Sequence, residues 1–344
     1  MRIVVTGAAG MLGSHLVRRL ADRGHAVHGV DLRQPDEPVA GVEQTIGDVR
    51  DVTLLTRAAA GADAMVHCAA ALPSYPADQI RSISVDGTRS ALTAARTADL
   101  SRVVHISSTA VYGLPTVVPT REDYPKQPVD TYSAAKAAAE EVVAEFRTGG
   151  MCVPVLRPKT FLGPGRMGLF AMLFEWAEEG RNFPVLGRGD VRIQMLDLTD
   201  LLSAIEVVLD APAERANDAF NVAAAEFATL REDFQAVLDA AGHGKRVVSV
   251  PARPAVAMLR GLGRLGLSPV YDRLIHKLLD DSFVSIERVR DRLGFVPEHS
   301  NRDAILRTYE WWRASRRQQP ARSGGRTSRD PWRQGALAAA KVFF

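Results

Sequence analysis

Tyr132 and Lys136 are the two residues whose types and spacing first indicate chemistry. They lie four residues apart in an Ala- and Glu-rich stretch that predicts a helix over 130–149, so their side chains share one helix face. A protonated lysine beside a phenol favours the phenolate and lowers the tyrosine pKa. Tyr132 would then accept a proton from a substrate alcohol. A pair of helix-surface residues is the alternative interpretation of this spacing.

Ser108 adds a third polar group to this predicted site. It follows the apolar run 103–106, which predicts a buried strand, and it precedes Tyr132 by 24 residues. A hydroxyl at the end of a core strand can hydrogen-bond the substrate oxygen and hold it against the phenol. The predicted catalytic residues are therefore Ser108, Tyr132 and Lys136.

A glycine-rich turn near the N-terminus predicts a dinucleotide site. Residues 6–13 read TGAAGMLG, between a predicted strand over 2–6 and a predicted helix over 10–23. Such glycines permit a tight turn and a close backbone approach to a pyrophosphate, and the helix N-terminus offers free N–H groups to the phosphates. The predicted contacts are Gly7, Gly10, Met11, Leu12 and Gly13. The alternative is a strand–turn–helix unit that uses glycine only for its turn.

Asp31 decides which dinucleotide is expected. It ends the second predicted strand, 18 positions after Gly13, where a carboxylate accepts hydrogen bonds from the adenosine ribose. A 2′-phosphate there would meet a like charge, so NAD is favoured over NADP, a preference that the nearby Arg33 would soften. Asp48 and Val49 follow the third predicted strand. Asp48 either approaches the adenine edge or belongs to an ordinary surface turn.

The elements around these residues predict an α/β fold with a Rossmann-like, doubly wound parallel sheet. Short apolar strands are predicted near 2–6, 26–30, 42–47, 63–68, 102–106 and 151–156, and helices near 10–23, 51–60, 78–98 and 130–149. Alternation of this kind is typical of βαβ units. Pro158 is expected to stop the last of these strands.

The chain is expected to have three parts. Residues 1–158 form the NAD-binding domain, residues 159–314 mainly a smaller substrate-binding lobe, and residues 315–344 a basic, disordered tail. Some segments of the second part are expected to return to the sheet. Gly and Pro are frequent between 159 and 190, which predicts loops around a helix over 168–179.

Composition and charge exclude several classes of function. The tail carries seven basic residues and one acidic residue, whereas the rest of the chain has a net charge of −3, so the basic pI predicts no nucleic-acid partner. No apolar run is long enough for a membrane span, and no signal-peptide pattern opens the chain, so we expect a cytoplasmic protein without membrane contact. Cys68 and Cys152 are expected to be buried free thiols. No histidine has the spacing of a metal ligand, so no metal is expected.

Together these motifs resemble the extended short-chain dehydrogenase/reductase family, in its NAD-dependent epimerase/dehydratase branch. The resemblance covers about residues 1–314. It rests on TGAAGMLG (6–13), Asp31, GDV (47–49), HCAA (67–70), ISSTAVYG (106–113), YSAAK (132–136) and LRPKTFLGPG (156–165). It implies NAD as cofactor and the catalytic trio named above. It also implies a homodimer built on the helices near 78–98 and 130–149.

The resemblance assigns roles to residues outside the trio. Ala69 and Ala70 would lie on the cofactor, Lys136 would also hold the nicotinamide ribose, and Pro158 would lie near the nicotinamide. Arg192, in the segment RIQMLDLTD, would contact the phosphates of a nucleotide-sugar substrate.

The chain departs from the family pattern at several positions. Thr109 and Ala110 replace the Asp–Glu pair that dehydratases carry after the catalytic hydroxyl residue, so the acid and base for water elimination are missing. Thr160, a predicted substrate contact, stands where many sugar-nucleotide enzymes have Asn, and Ser84 replaces another usual Asn. A 4,6-dehydratase is therefore disfavoured, whereas the redox chemistry is unaffected.

Three functions remain open from the sequence. The leading one is an NAD-dependent epimerase of a nucleotide sugar, in which a ring hydroxyl is oxidised transiently to a keto group. The first alternative is an NAD-dependent dehydrogenase or ketoreductase of a sterol-like or natural-product alcohol. Aromatic residues that would line an apolar pocket, or else pack as helix core, are Phe161, Phe170, Phe174 and Trp176. The second alternative is an NAD-bound regulatory protein without turnover.

Overall fold

The computed structural model describes residues 1–165, 170–264 and 278–316, with the backbone alone at 262–264. Its strands are β1 (Arg2–Thr6), β2 (Ala26–Asp31), β3 (Glu43–Ile46), β4 (Ala64–His67), β5 (Arg102–Ile106), β6 (Val155–Pro158), β7 (Phe161–Leu162), β8 (Phe183–Leu186), β9 (Leu196–Asp197), β10 (Ala219–Val222) and β11 (Val247–Val250). Seven of them form one parallel sheet in the order β3-β2-β1-β4-β5-β6-β10. The predicted Rossmann-like fold is confirmed.

Helices flank this sheet and build the second part of the chain. They are α1 (Met11–Asp22), α2 (Val52–Ala59), α3 (Ala77–Arg81), α4 (Gly87–Thr97), α5 (Thr131–Thr148), α6 (Phe170–Glu178), α7 (Leu198–Asp210), α8 (Ala213–Ala216), α9 (Leu230–Ala241), α10 (Ala252–Arg264), α11 (Glu287–Leu293) and α12 (Asn301–Arg316). A π-helical turn at Ser82–Asp86 joins α3 to α4, and a 3₁₀ turn covers Thr109–Tyr112.

The central strands are apolar throughout because helices cover both faces of the sheet. Side chains alternate along β1, so Ile3 and Val5 pack with α1 and α7 on one face. Val4 packs with α2, α4 and α5 on the other face. Both cores are continuous, and α5 is thereby held firmly against β5 and β6.

The strand order reverses between β1 and β4, and this reversal locates the ligand crevice. In sheets of this kind a ligand binds outside the carboxyl ends of the strands at such a switch point. The glycine-rich turn follows β1 there, and the HCAA segment follows β4. The fold therefore brings the predicted cofactor residues to one edge.

The structure corrects some predicted boundaries. β6 begins at Val155 and ends on Pro158, later than the predicted 151–156, because Pro154 has no N–H for a ladder bond and the chain pairs fully only after it. The predicted helix over 78–98 is interrupted by the π-helical turn. The predicted disorder of the tail falls almost entirely on 317–344, and the predicted start of the helix over 168–179 falls on 166–169, both outside the described residues.

The second part of the chain contributes to both halves of the molecule. β10 pairs with β6 in the main sheet. β8 with β11 and β7 with β9 form two small parallel sheets. Phe174 and Trp176 are fully buried in the core of this part, so the helix-core interpretation is correct for these two aromatic residues.

Two kinds of feature are absent from the residues that the structure describes. Among them, no helix is long and apolar enough to cross a membrane. Across the same ranges, no three His, Cys, Asp or Glu side chains are grouped so as to hold a metal ion.

Candidate active site

The glycine-rich turn is packed too closely for any other residue at two of its positions. Gly7 has a φ of +70°, and a Cβ there would lie 2.7 Å from the backbone N of Ala69. A Cβ on Gly13 would lie 2.0 Å from the carbonyl oxygen of Gly7. These contacts press the turn against the end of β4 and the start of α1, which is the arrangement expected of a pyrophosphate-binding turn.

The start of α1 is open to a phosphate. Gly10 is the N-cap residue, and it makes no side-chain cap hydrogen bond. The first N–H groups of α1 therefore receive no hydrogen bond acceptor from the side chain of the N-cap residue. Met11 and Leu12 are buried in the core below, so any contact they make with a cofactor comes from their backbone. The turn therefore fits an anionic ligand at its backbone N–H groups.

Asp31 lies at the end of β2 and also holds the glycine-rich turn. One carboxylate oxygen accepts a hydrogen bond from Ala9 N at 3.0 Å, and the other accepts one from Arg33 N at 3.1 Å. Asp31 is half-buried, whereas Arg33 is exposed. A carboxylate fixed beside the turn fits the ribose of NAD and would repel a 2′-phosphate.

The residues after β3 and β4 complete the predicted cofactor set. Asp48 is bound by its neighbour Arg50, with Nη2 at 2.5 Å, and this hydrogen bonding lowers the pKa of Asp48. Val49 is buried at the foot of α4. Ala69 N donates to Thr6 Oγ1 at 3.4 Å, and Ala70 is exposed at the crevice edge. The Asp48 carboxylate is thus already engaged by a cation.

Ser108 is the second residue beyond β5. Its extended backbone makes it the N-cap of the 3₁₀ turn, and its Oγ accepts a hydrogen bond from Ala110 N at 3.1 Å. Because the oxygen is the acceptor in that bond, the hydroxyl proton can be donated to a substrate. Pro158 ends the neighbouring β6, and its carbonyl accepts a 3.4 Å hydrogen bond from Thr109 Oγ1. The ends of the two strands are therefore tied together.

Tyr132 and Lys136 lie in the first two turns of α5, which begins with a capping box. Ser133 N donates to Asp130 Oδ1 at 2.7 Å, and Asp130 N donates to Ser133 Oγ at 3.1 Å. Tyr132 is half-buried in a small apolar cluster that includes Ala71. Lys136 is 4% exposed, and its Nζ donates to the Ile106 carbonyl at 2.9 Å. Lys136 therefore reaches the carboxyl end of β5, two residues before Ser108, and Tyr132 lies one helical turn earlier on α5.

Burial controls the charge of Lys136. Loss of solvent lowers its pKa to about 8, while the nearby Cys68 and Glu140 act in the opposite direction. Burial likewise lowers the pKa of His67 to about 3 and raises the pKa of the Cys68 thiol to about 12. His67 and Cys68 are therefore neutral near pH 7. Because its pKa lies only slightly above 7, Lys136 is mostly protonated at that pH and loses its proton when the pH rises slightly.

A buried polar network behind Lys136 was not predicted from the sequence. Arg157 forms a two-pronged pair with Glu140, Nε to Oε1 at 2.9 Å and Nη2 to Oε2 at 2.7 Å. Ser107 Oγ donates to Glu140 Oε1 at 2.6 Å, and Arg157 Nη1 donates to the hydroxyl of Tyr112 at 2.7 Å. Its only sequence signals were a glutamate four residues after Lys136 and an arginine before Pro158.

The predicted substrate contacts Thr160 and Arg192 lie beyond β6 in the chain. Thr160 is exposed, and its carbonyl accepts a hydrogen bond from Leu196 N. Arg192 is bound by Asp281, with Nη2 at 2.5 Å and Nε at 3.0 Å from one carboxylate oxygen. Its guanidinium also lies 4.7 Å above the ring of Phe283. Arg192, the residue expected to contact the substrate phosphates, is therefore paired with Asp281, a partner that the sequence did not predict.

Fold and site together define an NAD-dependent, oxidoreductase-type enzyme of the extended short-chain dehydrogenase/reductase class. The chain belongs to the NAD dependent epimerase/dehydratase family, whose model matches residues 3–223. NAD is the cofactor of that family, and the glycine-rich turn with Asp31 fits it. The family identification agrees with the resemblance stated from the sequence.

Relatives within this family act on different substrates. The chain is 30% identical to the UDP-glucose 4-epimerase of Mycolicibacterium smegmatis over 91% of its own length and 99% of that protein. It is 29% identical to the 2-alkyl-3-oxoalkanoate reductase of Stenotrophomonas maltophilia over 89% of its length and 98% of that protein. The crystal structure of the Bordetella bronchiseptica enzyme WbmG with NAD superposes with a TM-score of 0.74 at 25% identity, covering 91% of this chain and 94% of that one.

Proposed function

We propose that the protein is an NAD-dependent epimerase of a nucleotide sugar, acting by transient oxidation of a secondary hydroxyl. The observation that carries the redox step is the buried Lys136, tied to the Ile106 carbonyl beside Ser108 and one helical turn after Tyr132. The absence of an acid–base pair at Thr109 and Ala110 leaves this redox step without a following elimination.

Each residue of the trio has a separate task in this proposal. Ser108 donates a hydrogen bond to the substrate oxygen and orients it. Tyr132 accepts the hydroxyl proton and later returns it, while the charge of Lys136 stabilises the phenolate. NAD, held by the glycine-rich turn and Asp31, supplies the hydride acceptor when bound. Residues 1–158 thus carry cofactor and chemistry, and 159–314 mainly face the substrate.

Support for the sugar-nucleotide substrate comes from the relatives. The similarity to a UDP-glucose 4-epimerase extends over nearly the whole of both chains. WbmG, which has also been crystallised with NAD and UDP, shares this fold over 91% of the chain at 25% identity. In our proposal Arg192 contacts the diphosphate, which requires it to leave Asp281.

A ketoreductase or dehydrogenase of a natural-product alcohol is the second candidate, and one observation favours it. The carboxylate of Asp281 occupies the guanidinium of Arg192 and would compete with an anionic diphosphate. The aromatic contact of Phe283 with Arg192, and of Phe227 with Phe283 at 5.2 Å between ring centres, gives this side an apolar surface. The reductase relative acts on a 2-alkyl-3-oxoalkanoate, as its name states.

A ligand screen followed by one kinetic measurement separates the candidates. In a thermal-shift screen with NAD present, UDP- and dTDP-sugars should raise the melting temperature, because a ligand of the folded state must stabilise it. With such a sugar, product should form without accumulation of NADH, and Tyr132→Phe should abolish product formation. Stabilisation by 3-oxoalkanoates or sterol-like alcohols alone, or NADH released in step with product, would overturn the epimerase proposal.

We also propose a homodimer through the surface formed by α4 and α5. These helices pack together, and an exposed pair of Arg89 with Glu145, 2.7 Å apart, bridges them on that surface. Analytical ultracentrifugation should give a mass twice that of the chain. Arg89→Glu, which places two like charges together, should shift the protein towards monomer, whereas a monomeric native protein would contradict this proposal.

A further inference from the structure

The Glu140 carboxylate joins three elements of the active site. It lies on α5 one turn after Lys136, it accepts Ser107 Oγ from the end of β5, and it is paired with Arg157 from the end of β6. We propose that Glu140 is a positioning residue that holds Ser108 and Lys136 in their catalytic places. The chemistry that it supports rests on the function proposed above.

The geometry allows little movement within this network. Glu140 and Arg157 have side chains only 4% and 7% exposed, and both carboxylate oxygens are in contact with the guanidinium. Ser107 is the neighbour of Ser108 in the chain, so its 2.6 Å bond to Glu140 fixes where β5 ends. A displacement of Glu140 would therefore move the strand end that carries Ser108 relative to the helix that carries Lys136.

Glu140 also supplies the negative charge that Lys136 needs. The charged or titratable groups around Lys136 are Tyr132 and Glu140 on its own helix, Cys68 and His67 at β4, His105 on β5 and Arg157 on β6. The two histidines and the thiol are neutral near pH 7, because burial shifts each pKa away from the charged form. Glu140 is therefore the anion among these groups, and it faces the buried cations Lys136 and Arg157 as well as Lys126, whose Nζ lies 3.4 Å from Oε2.

Removing the charge of Glu140 should shift the pKa of both Lys136 and Tyr132. In Glu140→Gln, Arg157 and Lys126 would keep their charges but lose the carboxylate that pairs with both, so Lys136 would lose its proton at a lower pH. Since a neutral lysine no longer stabilises the phenolate, Tyr132 would ionise at a higher pH. If the Glu140–Arg157 pair were purely structural, its loss would lower the stability of the fold without changing the pKa of Tyr132.

The test measures tyrosinate directly and needs no substrate. Ultraviolet difference absorbance is recorded against pH for the NAD-bound protein. The same titration of Tyr132→Phe is subtracted as the blank, which removes the signal of the other five tyrosines. Glu140→Gln should show about tenfold less Tyr132 phenolate at neutral pH than the native protein. Glu141→Gln, an exposed neighbour on the same helix, is the matched control and should titrate like the native protein.

Each outcome decides the matter. An unchanged Tyr132 titration in folded Glu140→Gln would overturn the positioning proposal and leave the proposed function intact. A native Tyr132 that ionises no earlier than free tyrosine would contradict the chemistry itself. If Glu140→Gln does not fold, Glu140→Asp replaces it: the shorter side chain withdraws the charge from Lys136, so a smaller loss of phenolate is expected, and no loss would overturn the proposal.

Discussion

The ion pairs Glu140–Arg157 and Arg192–Asp281 are each held by two side-chain hydrogen bonds, but they differ in burial. Glu140 and Arg157 are almost fully buried and are joined by two hydrogen bonds with further partners. Arg192 and Asp281 have side chains 49% and 31% exposed, at the edge of the substrate side. A buried pair cannot lose one member without leaving an unpaired charge, whereas an exposed pair exchanges readily with water and ions.

This difference distinguishes an ion pair that stays fixed, Glu140–Arg157, from one whose members can exchange partners, Arg192–Asp281. In the proposed mechanism, proton transfer depends on the place and charge of Lys136, and the buried pair would support both. Substrate recognition requires that a ligand be able to replace an existing partner, and an exposed guanidinium beside a carboxylate permits that. Variants of these residues and of the proposed catalytic site test this contrast.

Loss of the Tyr132 hydroxyl should have the largest effect on turnover. Tyr132→Phe keeps the ring and its packing but removes the proton acceptor, so turnover should fall by about 10²–10⁴-fold. NAD affinity, measured by calorimetry, should stay near native. Tyr124→Phe, outside the trio, should retain turnover. Comparable activity in Tyr132→Phe would remove Tyr132 from the mechanism.

The two arginines should differ in their effect on stability. Arg157→Met leaves Glu140 buried without its main partner and should lower the free energy of unfolding by about 3–5 kcal/mol. Arg192→Met breaks the exposed pair and should cost at most about 1 kcal/mol. Chemical denaturation measures both. Equal losses would show that the contrast between the two pairs is wrong.

The pH dependence of turnover should reflect the buried lysine. Burial lowers the pKa of Lys136 to about 8, and the proposed mechanism uses its charged form. Turnover should therefore fall as pH rises through this value, by about tenfold for each further pH unit. A rate that stays level well above this pH would mean that Lys136 remains charged or is not needed.

Cofactor selection should depend on Asp31. Asp31→Ala removes both a ribose hydrogen bond and the repulsion of a 2′-phosphate, so the preference for NAD over NADP should narrow by roughly tenfold. Asp48→Ala is the control, since that carboxylate is bound by Arg50, and it should leave the preference unchanged. Equal affinity of the native protein for the two cofactors would refute this role.

The smallest effect is expected at Asp281. Asp281→Asn frees Arg192 from a competing carboxylate, so affinity for UDP should rise by roughly fivefold at low salt and less at high salt. Asp190→Asn changes a nearby exposed pair with Arg188 and should have no such effect. If neither the native protein nor Asp281→Asn binds UDP, the second candidate function gains support.

The fold, which the structure confirms, and the trio, which stays a prediction, could both be named from the sequence because they depend on local patterns. The glycines at 7, 10 and 13, the end of β5 and the spacing of Tyr132 and Lys136 are each contained within one short segment. The two ion pairs depend on contacts between distant segments, Glu140 with Arg157 and Arg192 with Asp281, the latter 89 residues apart. No periodicity or motif specifies such partners, because tertiary packing chooses them.

Isotopic labelling tests the central claim most directly. A substrate with deuterium on the carbon that bears the reacting hydroxyl is converted in the presence of unlabelled NAD. The proposed epimerase returns the same hydride, so the deuterium should remain in the product while no labelled NADH appears in solution. Deuterium found in released NADH, in proportion to product, would contradict the epimerase and identify a net dehydrogenase.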